Sequence, residues 1–221
     1  MNGCVFQFSG HSLTALGSGA LWWADRRVLC VSDLHLGKSD RLARRGGLML
    51  PPYETHDTLA RLENAIEATN PKTVLCLGDS FDDRAAALSL TQDECLWIAR
   101  LQAGRRWLWV EGNHDPGPLD FAGSFMAEVS IAGLAFRHIA QAGAAAEVSG
   151  HYHPKVQIKA GGRALSRPAF LFNASQLIMP AFGTYTGGLR SSDPALQQIL
   201  GADMQAILLG TPPRHVPNLA L

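Results

Sequence analysis

Residues 73–79 read Thr73-Val74-Leu75-Cys76-Leu77-Gly78-Asp79, a short apolar run that ends in a turn carrying a carboxylate. The same arrangement occurs on either side of it. Val28-Leu29-Cys30-Val31 leads into Asp33-Leu34-His35, and Trp107-Leu108-Trp109-Val110 leads into Gly112-Asn113-His114-Asp115. Continuous apolar runs of this length are strands buried on both faces, as in a parallel sheet covered by helices. A helix fits into each interval. Tyr53–Thr69 places Leu59, Leu62 and Ile66 on one stripe, and Asn70-Pro71 stops it. Thr91-Gln92-Asp93-Glu94 has the form of a capping box and predicts a helix to about Ala103, where Gly104 can end it.

Outward from this centre the signals shorten. Val5–Phe8 and Ala20–Ala24 read as strands of a hairpin, and residues 38–52 as a loop rich in Arg, Gly and Pro. From Met126 onward the pattern becomes short strands and tight turns: Glu128–Ile131, Leu134–His138, Glu147–Ser149, Val156–Lys159, Ala169–Phe172, Gln176–Ile178 and Gln205–Leu209. The expectation is an α/β chain, βαβαβ in its first half and mostly β in its second. Two sheets then pack face to face with helices outside, in a single domain over residues 1–221.

Composition narrows the function classes. A hydrophobic fraction of 47% with 17% charged residues describes a globule, not a disordered chain. Lys and Arg number 19, as do Asp and Glu, so no global field draws the protein onto DNA or an anionic membrane. Any nucleic-acid contact has to be local. Cys4, Cys30, Cys76 and Cys95 contain no CxxC pair, and Cys30 and Cys76 sit inside apolar runs, which fits buried thiols in a reducing compartment. Met1-Asn2-Gly3-Cys4 lacks the basic and apolar regions of a signal peptide. No run approaches the roughly 20 apolar residues of a membrane span. These features predict a cytoplasmic protein without a membrane partner.

Open α/β sheets hold ligands at the carboxyl ends of their strands. Asp33, Asp79 and Asn113 each follow such a strand and should converge. His138 ends a later strand, and Gly150-His151-Tyr152-His153 sets two imidazoles two residues apart in a turn that can aim them at adjacent ions. The donors Asp33, His35, Asp79, Asn113, His138, His151 and His153 are oxygen and nitrogen without thiolate, which suits Mn, Fe, Zn, Co or Ni better than Mg or Ca. Two such ions about 3.5–4 Å apart can clamp a phosphate while a shared hydroxide attacks phosphorus in line. Each motif alone is ordinary, since Gly-Asp is a common turn and a lone histidine is more often structural. Their order, each at a strand end, points to a two-metal phosphoesterase. His11, His56 and His215 fall outside the series and read as structural.

The series Asp33-Leu34-His35, Gly78-Asp79, Gly112-Asn113-His114-Asp115, His138, Gly150-His151-Tyr152-His153 resembles the signature of the calcineurin-like metallophosphoesterases. That resemblance implies a four-layer αββα sandwich of two mixed sheets. It implies one metal on Asp33, His35, Asp79 and His153 and a second on Asp79, Asn113, His138 and His151, with Asp79 bridging. It makes His114 a phosphate contact and the acid for the leaving oxygen, with Asp115 orienting it. A narrower likeness is carried by Asp33-Leu34-His35-Leu36-Gly37-Lys38, Leu77-Gly78-Asp79-Ser80-Phe81, Gly112-Asn113-His114-Asp115-Pro116, Phe136-Arg137-His138, Gly150-His151-Tyr152-His153-Pro154 and Pro180-Ala181-Phe182-Gly183-Thr184-Tyr185-Thr186-Gly187-Gly188-Leu189. These look like the ligase-associated bacterial phosphoesterases of the PdeM group, which implies a manganese-dependent DNA endonuclease or phosphodiesterase of DNA repair, linked to a DNA ligase and a large helicase. One departure is visible: Asp82-Asp83 follows Ser80-Phe81, where the group often has histidine.

Basic residues near the motifs are the substrate clue. Lys38, Arg41, Arg44 and Arg45 follow the first motif, Arg84 the second, and Arg137 precedes His138. Asn113, His114, Lys38, Arg44 and Arg137 are the candidate substrate contacts, the cations flanking the scissile bond or simply lying on a solvated surface. Trp107 and Trp109 share a strand face and read as core. The leading expectation is a phosphodiesterase of single-stranded or branched DNA. The alternatives are a hydrolase of cyclic nucleotides, nucleotide diphosphates or simple esters, a phosphoprotein phosphatase, and a non-catalytic interaction scaffold. The segment 169–189 could form a homodimer contact or cover a sheet edge.

Overall fold

The three apolar runs are the middle of the first sheet. In the computed structural model, which describes residues 2–46, 50–115, 117, 119–217 and 219 (side chains at 159 and 160 excepted), this sheet comprises β1 (Gly3–Phe8), β2 (His11–Leu16), β3 (Leu21–Trp23), β4 (Val28–Val31), β5 (Thr73–Leu77), β6 (Arg106–Val110) and β7 (Ser124–Met126), side by side in that order. The strands from β4 to β7 are parallel, and β1 to β4 form an antiparallel meander. Parallel neighbours need crossovers. Here α1 (Lys38–Arg44) and α2 (Glu54–Thr69) join β4 to β5, and α3 (Arg84–Ser89) and α4 (Gln92–Gln102) join β5 to β6.

The second sheet is built from β8 (Glu128–Ile131), β9 (Leu134–Arg137), β10 (Glu147–Ser149), β12 (Arg163–Phe172), β13 (Gln176–Ile178), β14 (Gln205–Leu208) and β15 (Arg214–Val216), in the order β15-β14-β12-β13-β10-β9-β8. β11 (Lys155–Ala160) pairs with β12 off that path, and α5 (Pro194–Leu200) follows β13.

Three apolar clusters separate four layers. Cys30, Leu75, Leu77, Leu108 and Val110 point from the first sheet at Phe136, Val148, Phe170 and Leu177 of the second. Their chain neighbours Leu29, Val31, Val74, Cys76, Trp107 and Trp109 point the other way, onto Leu59, Leu62 and Ile66 of α2 and Ile98 of α4. Alternation onto two buried faces is why every buried position of β4, β5 and β6 is apolar. Ala169, Leu171 and Ile178 meet Leu196 and Leu200 of α5 on the far side. The expected αββα arrangement of two mixed sheets is the observed one. Among the described residues no helix is long and apolar enough to cross a membrane.

The differences from expectation have local causes. Residues 38–44 are the helix α1, where a loop over 38–52 was expected; residues 47–49 of that segment, and Pro116, lie outside the described residues. No residue of α1 is buried, so it has no apolar stripe to announce it. It is held instead by ion pairs, Arg44 to Asp40 at 2.7 Å and to Asp83 at 2.8 Å. α3 and α5 are short helices capped by Asp83 and Asp193, whose side chains accept from Ala86 N and Ala195 N. β2 lies between the two segments expected to form a hairpin and pairs with both.

The segment Pro180–Gly183 returns to the first sheet after β13. Phe182 N donates to Ser32 O at 2.7 Å and Gly183 N to Asp33 O at 3.0 Å. The Phe182 ring is fully buried, and the Arg61 guanidinium of α2 lies 4.9 Å from its centre while donating to Phe182 O at 2.6 Å. Phe182→Ala is therefore expected to lower stability by about 3–5 kcal/mol. Val5→Ala, on an exposed side chain of β1, should stay within about 0.5 kcal/mol. Urea unfolding of the two variants beside the parent checks both; a small effect at Phe182 would mean that the segment is not anchored through its ring.

Candidate active site

The loops that leave β4 and β5 continue the parallel pairing of their strands. Asp33 N donates to Gly78 O at 3.2 Å, His35 N to Asp79 O at 2.9 Å and Leu36 N to Ser80 O at 3.0 Å. Asp33 and Asp79 thus sit side by side. Asp33, His35, Asp79, His151 and His153 all adopt left-handed backbone, with φ between 46° and 70°. Non-glycine residues avoid this region, and such conformations persist where surrounding contacts over-determine them, often at functional sites. Close approach adds a second constraint. A Cβ on Gly78 would lie 2.2 Å from the His138 ring, and one on Gly150 would lie 1.9 Å from Ser32 Oγ. Glycine at these two positions is what allows the loops of the two sheets to meet.

All seven expected donors come together. His153 Nε2 lies 3.1 Å from Asp33 Oδ1 and 3.3 Å from His35 Nε2. On the other side His138 Nε2 lies 3.3 Å from Asp79 Oδ2, 2.9 Å from Asn113 Oδ1 and 3.2 Å from His151 Nδ1. Asp33, His35 and His153 form one compact donor group, and Asp79, His138 and His151 another. Ring nitrogens facing each other at 3.2–3.3 Å in a buried site satisfy each other poorly, and a cation between them would satisfy both. Two of the outer ring nitrogens face an oxygen of the protein. His35 Nδ1 is 2.8 Å from Asp82 Oδ1, and His138 Nδ1 is 3.2 Å from Leu77 O. On His35 and His138 that leaves the inner nitrogen as a lone-pair donor, the tautomer a metal needs. The residues present fit two divalent ions.

Electrostatics run the same way. Burial works to raise Asp79, but the His138 hydrogen bond and charge and the His114 N–H outweigh it and bring the carboxyl down to about 2. Asp33 is held below its usual range by His153, His138 and the Ser32 hydroxyl despite complete burial. Burial holds His35 below its usual value against the pull of Asp82, and holds His151 down together with the His138 charge. Burial also pushes His138 down, but Asp79 and Asp33 overcome it and lift the ring; a dication among these groups reverses that lift.

Asp115 has a contact set other than the one expected. Asp115 does not reach the His114 ring. Its Oδ2 accepts from Ser80 N at 2.7 Å and Phe81 N at 3.1 Å, and its Oδ1 from Gly112 N at 3.0 Å. Burial, with the Asp79 charge, pushes Asp115 up to about 6 in spite of these three bonds. It is a brace between the second and third motif loops. The His114 ring is set instead by Asp82 O, 2.8 Å from its Nδ1, and by its own N–H, which donates to Asp79 Oδ1 at 2.9 Å. Its Nε2 remains open toward the site, 4.0 Å from Asp79 Oδ2.

Asp82, the departure noted in the sequence, has a positioning role that motif spacing did not show. It is fully buried and gathers His35, Arg41 and Lys38, with Lys38 Nζ 3.8 Å away. Burial alone would raise its pKa; His35 and Arg41 bring it to about 2. The basic residues expected to contact substrate are largely engaged within the protein. Lys38 faces Asp82, Arg44 pairs with Asp40 and Asp83, and Arg137 pairs with Glu128 and the buried Glu147 at 3.0 Å each. Of these pairings only Asp40–Arg44, four residues apart on one helix, has a signal in the sequence; the others appear only in the fold. Two open clefts flank the donor groups. One, of about 420 Å³, is lined by Glu111, Asn113, Arg137, His138 and Ile139 among others; the other, of about 300 Å³, by His151, Tyr152, His153, Gly188 and Leu189.

The sequence profile of the calcineurin-like phosphoesterases matches residues 26–181, which span every donor described above. The crystal structure of the Pseudomonas putida nuclease MPE is similar to this chain with a TM-score of 0.77 and 27% sequence identity, covering 96% of this chain and 100% of that one. Comparison with curated protein sequences gives no match.

The Asp82–His35 contact generates a prediction. Asp82→Asn keeps the shape and removes the charge that orients the His35 ring, so affinity for Mn should fall by about 10- to 100-fold. Calorimetric titration of the metal-stripped variant measures it, with far-UV circular dichroism to show that the fold is kept. Parent-like affinity would mean that Asp82 is only a partner for Arg41 and Lys38.

Proposed function

The chain belongs to the calcineurin-like phosphoesterase family and is a metal-dependent phosphoesterase, and we propose that it is a phosphodiesterase that cleaves single-stranded or branched DNA in repair, with manganese as the preferred ion. The observation that carries the chemistry is the pair of buried oxygen–nitrogen donor groups with the unengaged His114 Nε2 beside them. In this reading Asp33, His35, Asp79 and His153 hold one ion, and Asp79, Asn113, His138 and His151 the other. The two ions, when bound, supply an activated water and a positive clamp on the phosphate oxygens.

The rest falls to the protein. Asp79 belongs to the donor group of His138 and His151 and also fixes the His114 main chain. His114 presents Nε2 to the leaving oxygen and donates the proton it needs, while Asp82 O holds Nδ1 so that the ring cannot turn away. Asn113 carries a side-chain oxygen toward the second donor group and leaves its amide for a phosphate oxygen. Asp115 keeps the Gly112 and Ser80–Phe81 turns at fixed distance, which is positioning and not proton transfer.

Two observations support a polymeric substrate: the site lies between open clefts and not in a closed cavity, and a similar structure is that of a nuclease. One observation favours the second reading, a small phosphodiester: Lys38, Arg44 and Arg137, the cations expected to contact substrate, are neutralised by carboxylates.

The two substrates separate the roles. Asp79→Ala should lose metal and all activity. His114→Ala should keep its metal and lose about 10²- to 10⁴-fold in kcat on an oligonucleotide, whose alkoxide leaving group needs a proton. The same variant should lose far less on bis-p-nitrophenyl phosphate, whose phenolate leaves without one. Metal content and steady-state rates on both substrates check this. Equal losses on the two would remove His114 as the acid, and cleavage of the small ester with no cleavage of DNA would favour the small-molecule reading.

A further inference from the structure

With Lys38, Arg44 and Arg137 engaged by carboxylates, a polyanion needs further cations to hold it. Residues 155–168 read Lys155-Val156-Gln157-Ile158-Lys159-Ala160-Gly161-Gly162-Arg163-Ala164-Leu165-Ser166-Arg167-Pro168, four cations and no carboxylate in a chain of zero net charge. They form β11 and the first half of β12, a two-stranded ribbon joined by the Gly161-Gly162 turn. Only the second half of β12, Ala169–Phe172, pairs into the sheet, while residues 161–167 are exposed. The ribbon therefore extends past the sheet edge. It begins two residues after His153.

We propose that this ribbon is a binding arm for the sugar–phosphate backbone of single-stranded DNA, holding the strand whose scissile phosphate lies at the metal site. The inference rests on the DNA reading above and adds the surface that reading lacks. Register and alternation place Arg163, Leu165 and Arg167 on one face of β12, opposite Ala160, Ile158 and Val156 of β11. That face continues into the cluster under α5, where Tyr152 and Leu189 also pack. Tyr152 and Leu189 line the cleft that contains His151 and His153. On the far side, Ile158, Arg167, Leu208 and Arg214 line a further cavity of about 290 Å³. One face thus leads from the metal ligands to the arginines. None of the ion pairs among the described residues involves Arg163, Arg167 or Arg214, in contrast to Arg44 and Arg137. Four residues apart on one strand, Arg163 and Arg167 stand roughly 13 Å from each other, far enough to contact separate phosphates. Leu165 between them, 40% exposed, offers apolar surface to a base.

The competing explanation is that charge on an exposed ribbon prevents edge-to-edge pairing with another copy. The test uses the whole chain. Metal-stripped protein is titrated against a fluorescein-labelled oligothymidylate from about 50 to 200 mM salt, so that binding is read without cleavage. Arg163→Ala/Arg167→Ala should bind about tenfold more weakly at the low-salt end, with a slope of log K against log salt shallower by about 1.4, the share of two single-strand phosphate contacts. Arg163→Lys/Arg167→Lys should keep most of both. With Mn added, the alanine variant should show a raised KM for the oligonucleotide, and hydrolysis of bis-p-nitrophenyl phosphate reports whether its metal site is intact. A variant with the parent's affinity and salt slope overturns the arm and leaves edge protection as the role of these charges. A parent that hydrolyses the small ester but neither binds nor cuts the oligonucleotide overturns the DNA reading, and the arm with it.

Discussion

The Asp33 carboxylate is the interaction on which the other parts of the site depend. It is completely buried, and a buried charge has to be compensated by hydrogen bonds and opposite charge. No lysine or arginine of the described residues does this. Its oxygens instead take the Ser32 hydroxyl and the His151 N–H, with His153 at 3.1 Å and His138 at 3.9 Å. Its own main chain is tied to Gly78 O and Gly183 N. One residue, through its side chain and its main chain together, therefore connects the first motif loop, the second, the histidine turn after β10 and the segment after β13.

This arrangement explains why the donors are drawn from both sheets. Asp33, His35, Asp79 and Asn113 leave the first sheet; His138, His151 and His153 leave the second. Neither sheet holds a complete donor group, so the packing of Leu75, Leu77, Phe136 and Val148 between the sheets sets the geometry of the chemistry above it. Glycines 78 and 150 are necessary because the inter-sheet distance at this edge leaves no room for a methyl group.

The fold and the donor set were legible in the sequence because both follow from local rules. A continuous apolar run followed by a turn carrying Asp or Asn identifies a strand end at β4, β5 and β6, and strand ends converge in an α/β sheet. The capping box at Thr91 and the stripe at Leu59, Leu62 and Ile66 lie on the observed α4 and α2. What could not be read was pairing between distant charges. Lys38, Arg44 and Arg137 look available in the sequence because nothing local shows that Asp82, Asp83 and Glu147 face them. Adjacency in the sequence suggests Asp115 as a partner of His114, while the turn directs it to the N–H of Gly112 three residues back and to the N–H groups of Ser80 and Phe81, more than thirty residues away. α1 escaped notice because a helix with no buried residue has no hydrophobic period.

The contact between Gly183 N and Asp33 O also orders events in time. As the chain is synthesised, the carboxylates at residues 33 and 79 emerge long before the imidazoles at 138, 151 and 153, and the strap that steadies Asp33 emerges later still. Contacts of such wide sequence separation are slow to form and come late in folding. A chain that ends before residue 138 therefore holds neither donor group complete, since each needs an imidazole from the second sheet.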